Sequence, residues 1–164
     1  MNDIINTVMN QMVCFFAGQP KQIHHFLKVA AFCEAIAKGE NLDDALCQRL
    51  VICGLVHDIG IKPADQKFGR HEGPLQEQEG PAAALPLLEG CGLDPQETER
   101  QCWLIAHHHT YDNVVDIDHQ ILLEADFLVN AYEGGLPTEA ITAMREKVFR
   151  TPTGIHLLNT MFGL

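Results

Sequence analysis

Along most of this chain apolar residues return every three or four positions, the spacing of one face of an α-helix. The two-residue alternation of a half-buried strand is missing except around 114–117, so the pattern alone restricts the fold to a helical one. Phe26, Val29, Ala30, Cys33, Ile36 and Ala37 define a helix from near Pro20 to Gly39. Leu46, Leu50, Cys53 and Gly54 define the next, with Asn41 and Asp43 ahead of it as caps and its end near Gly60. Helical spacing returns over 81–89, 95–109, 118–133 and 137–149, each entered by Pro, Asp or Thr, and a last short helix follows Pro152. Between them, 61–79 carries Pro63, Gly69, Gly73 and Pro74 and reads as a long loop, a candidate lid or substrate loop.

A chain of 164 residues is long enough to bury a core without disulfides, and no repeat or linker divides it. The expectation is one compact all-α domain over 1–164, of about six to eight helices, with a core of about 20–133 flanked by helical segments 1–18 and 137–164. The apolar stretches 9–16 and 157–164 either cover that core or pair with a second copy of the chain.

Charge and cysteine usage narrow the function classes. Eleven basic residues against 22 acidic ones leave a net charge of -11, the wrong field for a nucleic-acid polymer. No apolar run approaches the roughly 18 residues of a membrane span, and Asn2 and Asp3 stand where a signal peptide carries positive charge. The six cysteines are scattered singly, as free thiols are in a reducing compartment, so a cytoplasmic protein is expected. There is no serine for a serine hydrolase, and Gly69, Gly73 and Gly80 lack the spacing and the strand of a nucleotide-binding loop.

The histidines carry the chemistry. His57-Asp58 closes the apolar run 51–56, a costly place for two hydrophilic side chains unless a divalent cation takes the imidazole nitrogen and the carboxylate oxygen. By itself the pair reads as a helix end followed by a turn. His24-His25 at the start of the preceding helix and Asp126 inside the apolar run 121–128 give it company on separate helices.

In that order the residues resemble the HD-domain superfamily of metal-dependent phosphohydrolases, an all-helical group, over about His25 to Glu133. His25-Phe26-Leu27-Lys28-Val29-Ala30 is similar to the family's first ligand helix, Gly54-Leu55-Val56-His57-Asp58-Ile59-Gly60 to its name-giving motif, and Leu123-Glu124-Ala125-Asp126 to its closing motif. The resemblance implies that His25, His57, Asp58 and Asp126 bind a divalent ion (Mn, Fe, Mg, Zn, Ni or Co), with His24 as the fallback for His25. It also implies a possible second ion on Glu79, His107 and His108, because His107-His108 followed by Asp112 looks like the pair that two-metal relatives carry. Those relatives place a histidine where this chain offers Gln76, Glu77 and Glu79, so one ion or two per chain stays open.

Since helix neighbours lie about 100° apart, only part of the run His107-His108-His109 can face one site, and His107 and His108 are expected there. Lys62, Lys67, Arg70 and His71 cluster after His57-Asp58, and Lys62 and Arg70 are expected to contact substrate together with His108. The reading is a hydrolase of a small anionic phosphate ester, such as a nucleotide. Asp58, Lys62 and His107 are its catalytic candidates. Two alternatives are a di-iron oxygenase of the same superfamily and a non-catalytic metal-binding or regulatory module.

Overall fold

The computed structural model describes residues 3–164; the first two residues of the expected flanking segment lie outside them. Nine helices occur among the described residues and no strand, 114–117 included. Among the described residues no helix is long and apolar enough to cross a membrane.

Helix starts follow the side chains that supply them. Proline occupies the first turn of α2 (Pro20–Gly39), where its missing N–H would have had no partner. Asp43 caps α3 (Asp44–Val56) by accepting from Leu46 N at 2.8 Å, and Asp94 caps α6 (Pro95–His107) by accepting from Gln96 N and Glu97 N. At the centre lies α7 (Ile117–Glu133), with 13 of its 17 residues buried, so it is surrounded by protein along most of its length.

Two apolar clusters hold the helices together. One joins α2, α3 and α7 to the C-terminal α8 (Thr138–Lys147) and α9 (Pro152–Phe162); the other packs α1 (Asp3–Phe15) and α5 (Gly73–Gly90) onto α2 and α3. Within the first, Glu124 is fully buried without a cation. Its carboxylate accepts from Gln120 Nε2 (2.6 Å), Arg150 N (2.7 Å), Thr151 N (3.0 Å) and Thr151 Oγ1, tying α7 to the start of α9.

Two close approaches position the residues of interest. A Cβ on Gly54 would lie 2.6 Å from Ala30 Cα, so only glycine lets α3 cross α2 this tightly. Two residues past Asp58, a Cβ on Gly60 would lie 2.3 Å from Gln76 O, so the turn after α3 is pressed against α5.

The segment 61–79 is not the long loop expected. It forms α4 (Ile61–Phe68), closed by Gly69 at φ 68, and the first seven residues of α5, leaving a short connection between them. The prolines read as breakers are in fact helix starters: Pro63 and Pro74 both sit in first turns, where no N–H bond is lost. Helix α4 is thus the element missing from the sequence reading.

Candidate metal centre

His25 enters from the first half of α2, His57 closes α3 as its C-cap, Asp58 begins the turn that follows, and Asp126 projects from mid-α7. These residues are separated by up to 101 positions in sequence, yet all four are buried and each offers a ligand atom within 4.8 Å of the others. His25 Nε2 lies 3.2 Å from Asp58 Oδ2, 3.3 Å from Asp126 Oδ1 and 3.3 Å from His57 Nε2. His57 Nε2 lies 3.2 Å from Asp126 Oδ1 and 3.5 Å from Asp58 Oδ2.

Hydrogen bonds behind the rings determine which nitrogen faces inward. His57 Nδ1 donates to Gly54 O (3.0 Å), and His25 Nδ1 donates to Glu133 Oε2 (3.0 Å), while Lys28 Nζ holds the other oxygen, Oε1, at 2.6 Å. With each Nδ1 carrying the proton, both Nε2 lone pairs point at two carboxylates. Four electron-rich atoms meeting in a buried space need either further protons on the imidazoles or a metal cation between them. This is how carboxylate- and carbonyl-anchored histidines are presented to metals.

The titration behaviour states the same demand. Burial would push both imidazoles down, but the hydrogen bonds and charges of Asp126 and Asp58 outweigh it. His25 is raised to about 9 and His57 well above its ordinary value. Burial would likewise push Asp58 up, but His57, His108 and His25 hold it well below the usual carboxylate range, and against the same burial His57 and His25 lower Asp126. Two imidazole nitrogens with two carboxylate oxygens suit a borderline or hard divalent ion with coordination positions to spare.

Asp58 also belongs to a second group with His108 and His109. Its Oδ2 faces His25 and His57, while its Oδ1 lies 2.9 Å from Nε2 of the buried His108, whose Nδ1 donates to Ile105 O at 2.7 Å. Gln76 donates its amide to His71 O, so its Oε1 accepts from His109 Nε2 at 2.8 Å and leaves His109 Nδ1 as the unprotonated nitrogen. Glu77 accepts from His109 N and Thr110 Oγ1, holding the turn after α6 against α5. Burial, with the neighbouring His108, lowers the His109 pKa.

Several expected residues point elsewhere. His107, expected beside His108, stacks on Trp103 at 4.1 Å and donates to Trp103 O instead. Helix α6 stops at His107 with His108 as its C-cap, so the 100° count of a continuing helix no longer governs the run, and the turn brings both His108 and His109 inward. Lys62 donates to Phe15 O at 2.6 Å and covers the Phe15 ring, joining α4 to α1. Lys67 is paired with Glu79 at 2.5 Å, which occupies the carboxylate expected for a second ion, and Arg70 is exposed 3.6 Å from Glu72. The basic loop therefore does not reach the cluster. His24 is exposed, and His25 is the histidine that turns inward.

Glu133, His109, Gln76 and Glu77 were not singled out as parts of the site. Glu133 left a readable signal, because it lies seven residues, two helical turns, after Asp126 and so on the same face of α7. Gln76 and Glu77 were noted only as standing where two-metal relatives carry a histidine, and with their helix read as loop nothing in the sequence pointed to their contacts with His109 and Thr110.

Fold and cluster together define a helical domain that gathers histidine and aspartate from three helices around one cation-demanding point. The family model of the HD domain matches residues 23–131, and the chain belongs to that family. Its fold is similar to the crystal structure of a predicted HD superfamily hydrolase from an uncultured Thermotogales bacterium. That match has a TM-score of 0.68 and 23% identity, over 96% of this chain and 84% of that one. No match was found among curated proteins.

Proposed function

We propose that the protein is a metal-dependent phosphohydrolase acting on a small anionic phosphate ester, with its divalent ion held by His25, His57, Asp58 and Asp126. The observation that carries this reading is the pair of Nδ1-anchored imidazoles whose Nε2 atoms converge on two buried carboxylates. A divalent ion bound there supplies Lewis acidity, lowering the pKa of a water and polarising a phosphoryl oxygen. Asp58, with one oxygen toward each group of histidines, would share its carboxylate between the ion and that water, orienting the water and accepting its proton. With one ion bound, His108, whose Nε2 lies 2.9 Å from Asp58 Oδ1, would relay a proton to the departing alcohol; with two, that nitrogen would instead help Asp58 and His109 hold the second ion. Family membership supports the reading, as does the hydrolase description of the structurally similar protein.

The test is release of phosphate from a panel of phosphate esters after reconstitution with Mn, Fe, Mg, Zn, Ni or Co in turn. Turnover with at least one ion, lost in Asp58→Ala, is expected. Hydrolysis that survives Asp58→Ala, or two irons with oxygen consumption and no hydrolysis, overturns it.

A further inference from the structure

On α2, Lys21, His24 and Lys28 recur at i, i+3 and i+7 and so form one stripe, next to the face from which His25 enters the cluster. With Pro20 and Glu133 they line an open cavity of about 410 Å³. Lys21 and His24 are exposed, and neither side chain has a hydrogen-bond or ion-pair partner among the described residues. Several other cations are engaged, Arg49 and Arg100 with Asp118, Lys38 with Glu34 and Lys67 with Glu79, whereas the Lys147 side chain is, like that of Lys21, without a partner among the described residues. The one acid in the cavity wall, Glu133, is already held by Lys28 at 2.6 Å and His25 at 3.0 Å, which leaves Lys21 and His24 facing the space. Helix α2 begins there with no side-chain cap on Gln19, adding the positive end of a 20-residue helix. In a chain of net charge -11 this is a local inversion of sign. Glu133 is a shared wall, with one oxygen on the cavity's Lys28 and the other on His25, so a group bound in the cavity lies one side chain from the cluster.

We propose that this cavity holds a second anionic group of the substrate while the ester under attack sits at the His25, His57, Asp58 and Asp126 cluster. The protein then prefers organic bisphosphates to the corresponding monophosphates. This rests on the hydrolase reading above and names its substrate class.

The first probe is sulfate, a dianion with little affinity for divalent ions, titrated into the chain against chloride at constant ionic strength and followed by NMR. Saturable shifts at Lys21, His24 and Lys28 are expected, and they vanish in the double variant Lys21→Met, His24→Gln. The second readout is the ratio of kcat/KM for a bisphosphate to that for its monophosphate. In the double variant it falls at least about tenfold, the effect of losing one charge-assisted hydrogen bond or more. Ester turnover without sulfate shifts at Lys21 and His24, or with an unchanged ratio, overturns the second-anion site and leaves the hydrolase reading standing. Sulfate shifts at these residues with no ester turnover under any metal support the anion site and overturn the hydrolase reading instead.

Discussion

Removing Glu133 isolates what the residue behind His25 contributes to holding an ion. Glu133 makes no contribution to the 4.8 Å ligand cluster itself; its Oε2 accepts from His25 Nδ1 at 3.0 Å, fixing the ring and leaving Nε2 as the lone-pair nitrogen. Partners of this kind are typically worth about 10–100-fold in metal affinity, or about 1.4–2.7 kcal/mol. Its side chain is 21% exposed, so water can partly replace it, which places Glu133→Ala near about tenfold, the lower end of that range. Glu133→Gln keeps an acceptor oxygen but loses the charge, and a loss of about threefold is expected, between wild type and alanine. Burial pushes the Glu133 carboxyl up, but Lys28 and His25 hold it below its ordinary value, so it is ionised at neutral pH and the comparison with the neutral amide is meaningful. The assay is competition with a calibrated chelator at pH 7.5, with circular dichroism confirming that both variants stay helical. An alanine variant that binds as tightly as wild type, while His57→Ala binds nothing, would refute the role given to this pair.

Proton and metal compete for His25, whose pKa rises from 6.5 unfolded to about 9 folded, so its protonated contact stabilises the metal-free protein fully below pH 6.5 and is lost as pH rises through about 9. The gain in Tm on adding metal should therefore grow from pH 6.5 to 9, and a flat profile by scanning calorimetry would contradict this. Glu124→Ala should cost about 3–5 kcal/mol in urea unfolding, because the buried N–H and hydroxyl of Thr151 and the half-buried N–H of Arg150 lose their acceptor; a cost under about 1 kcal/mol would show that water replaces it. His109→Asn should lower phosphate-ester turnover at least about tenfold, on the scale of one catalytic proton-transfer or positioning group, and His107→Asn less than about twofold. The reverse order in steady-state rates would return His107 to the site.

Asp126 was legible because it interrupts an apolar helical run, and His57-Asp58 because it closes one, where burial without a partner is costly; the ordered set, with His25 chosen over His24, rested on the resemblance to the HD-domain motifs. Helix starts were legible for the same physical economy of signals: Pro20, Asp43, Pro95 and Pro152 each mark a first turn or its cap. The helices within 61–79 were not, since Pro63 and Pro74 look identical in sequence whether they end a helix or begin one. The choice between His107 and His109 turned on where α6 ends, which depends on the turn clamped by Glu77 from another helix. Lys62 and Arg70 show that charges adjacent in sequence to a site need not point at it: one side chain reaches back to α1 and the other out to Glu72.

The central claim is that His25, His57, Asp58 and Asp126 form one metal-binding unit. Elemental analysis of the purified and reconstituted protein, repeated on His57→Ala and Asp126→Ala, tests it most directly. One or two divalent ions per chain in the wild type, and loss of metal in both variants, is the predicted result. A wild type that takes up no ion, or variants that keep the full complement, would contradict the assignment.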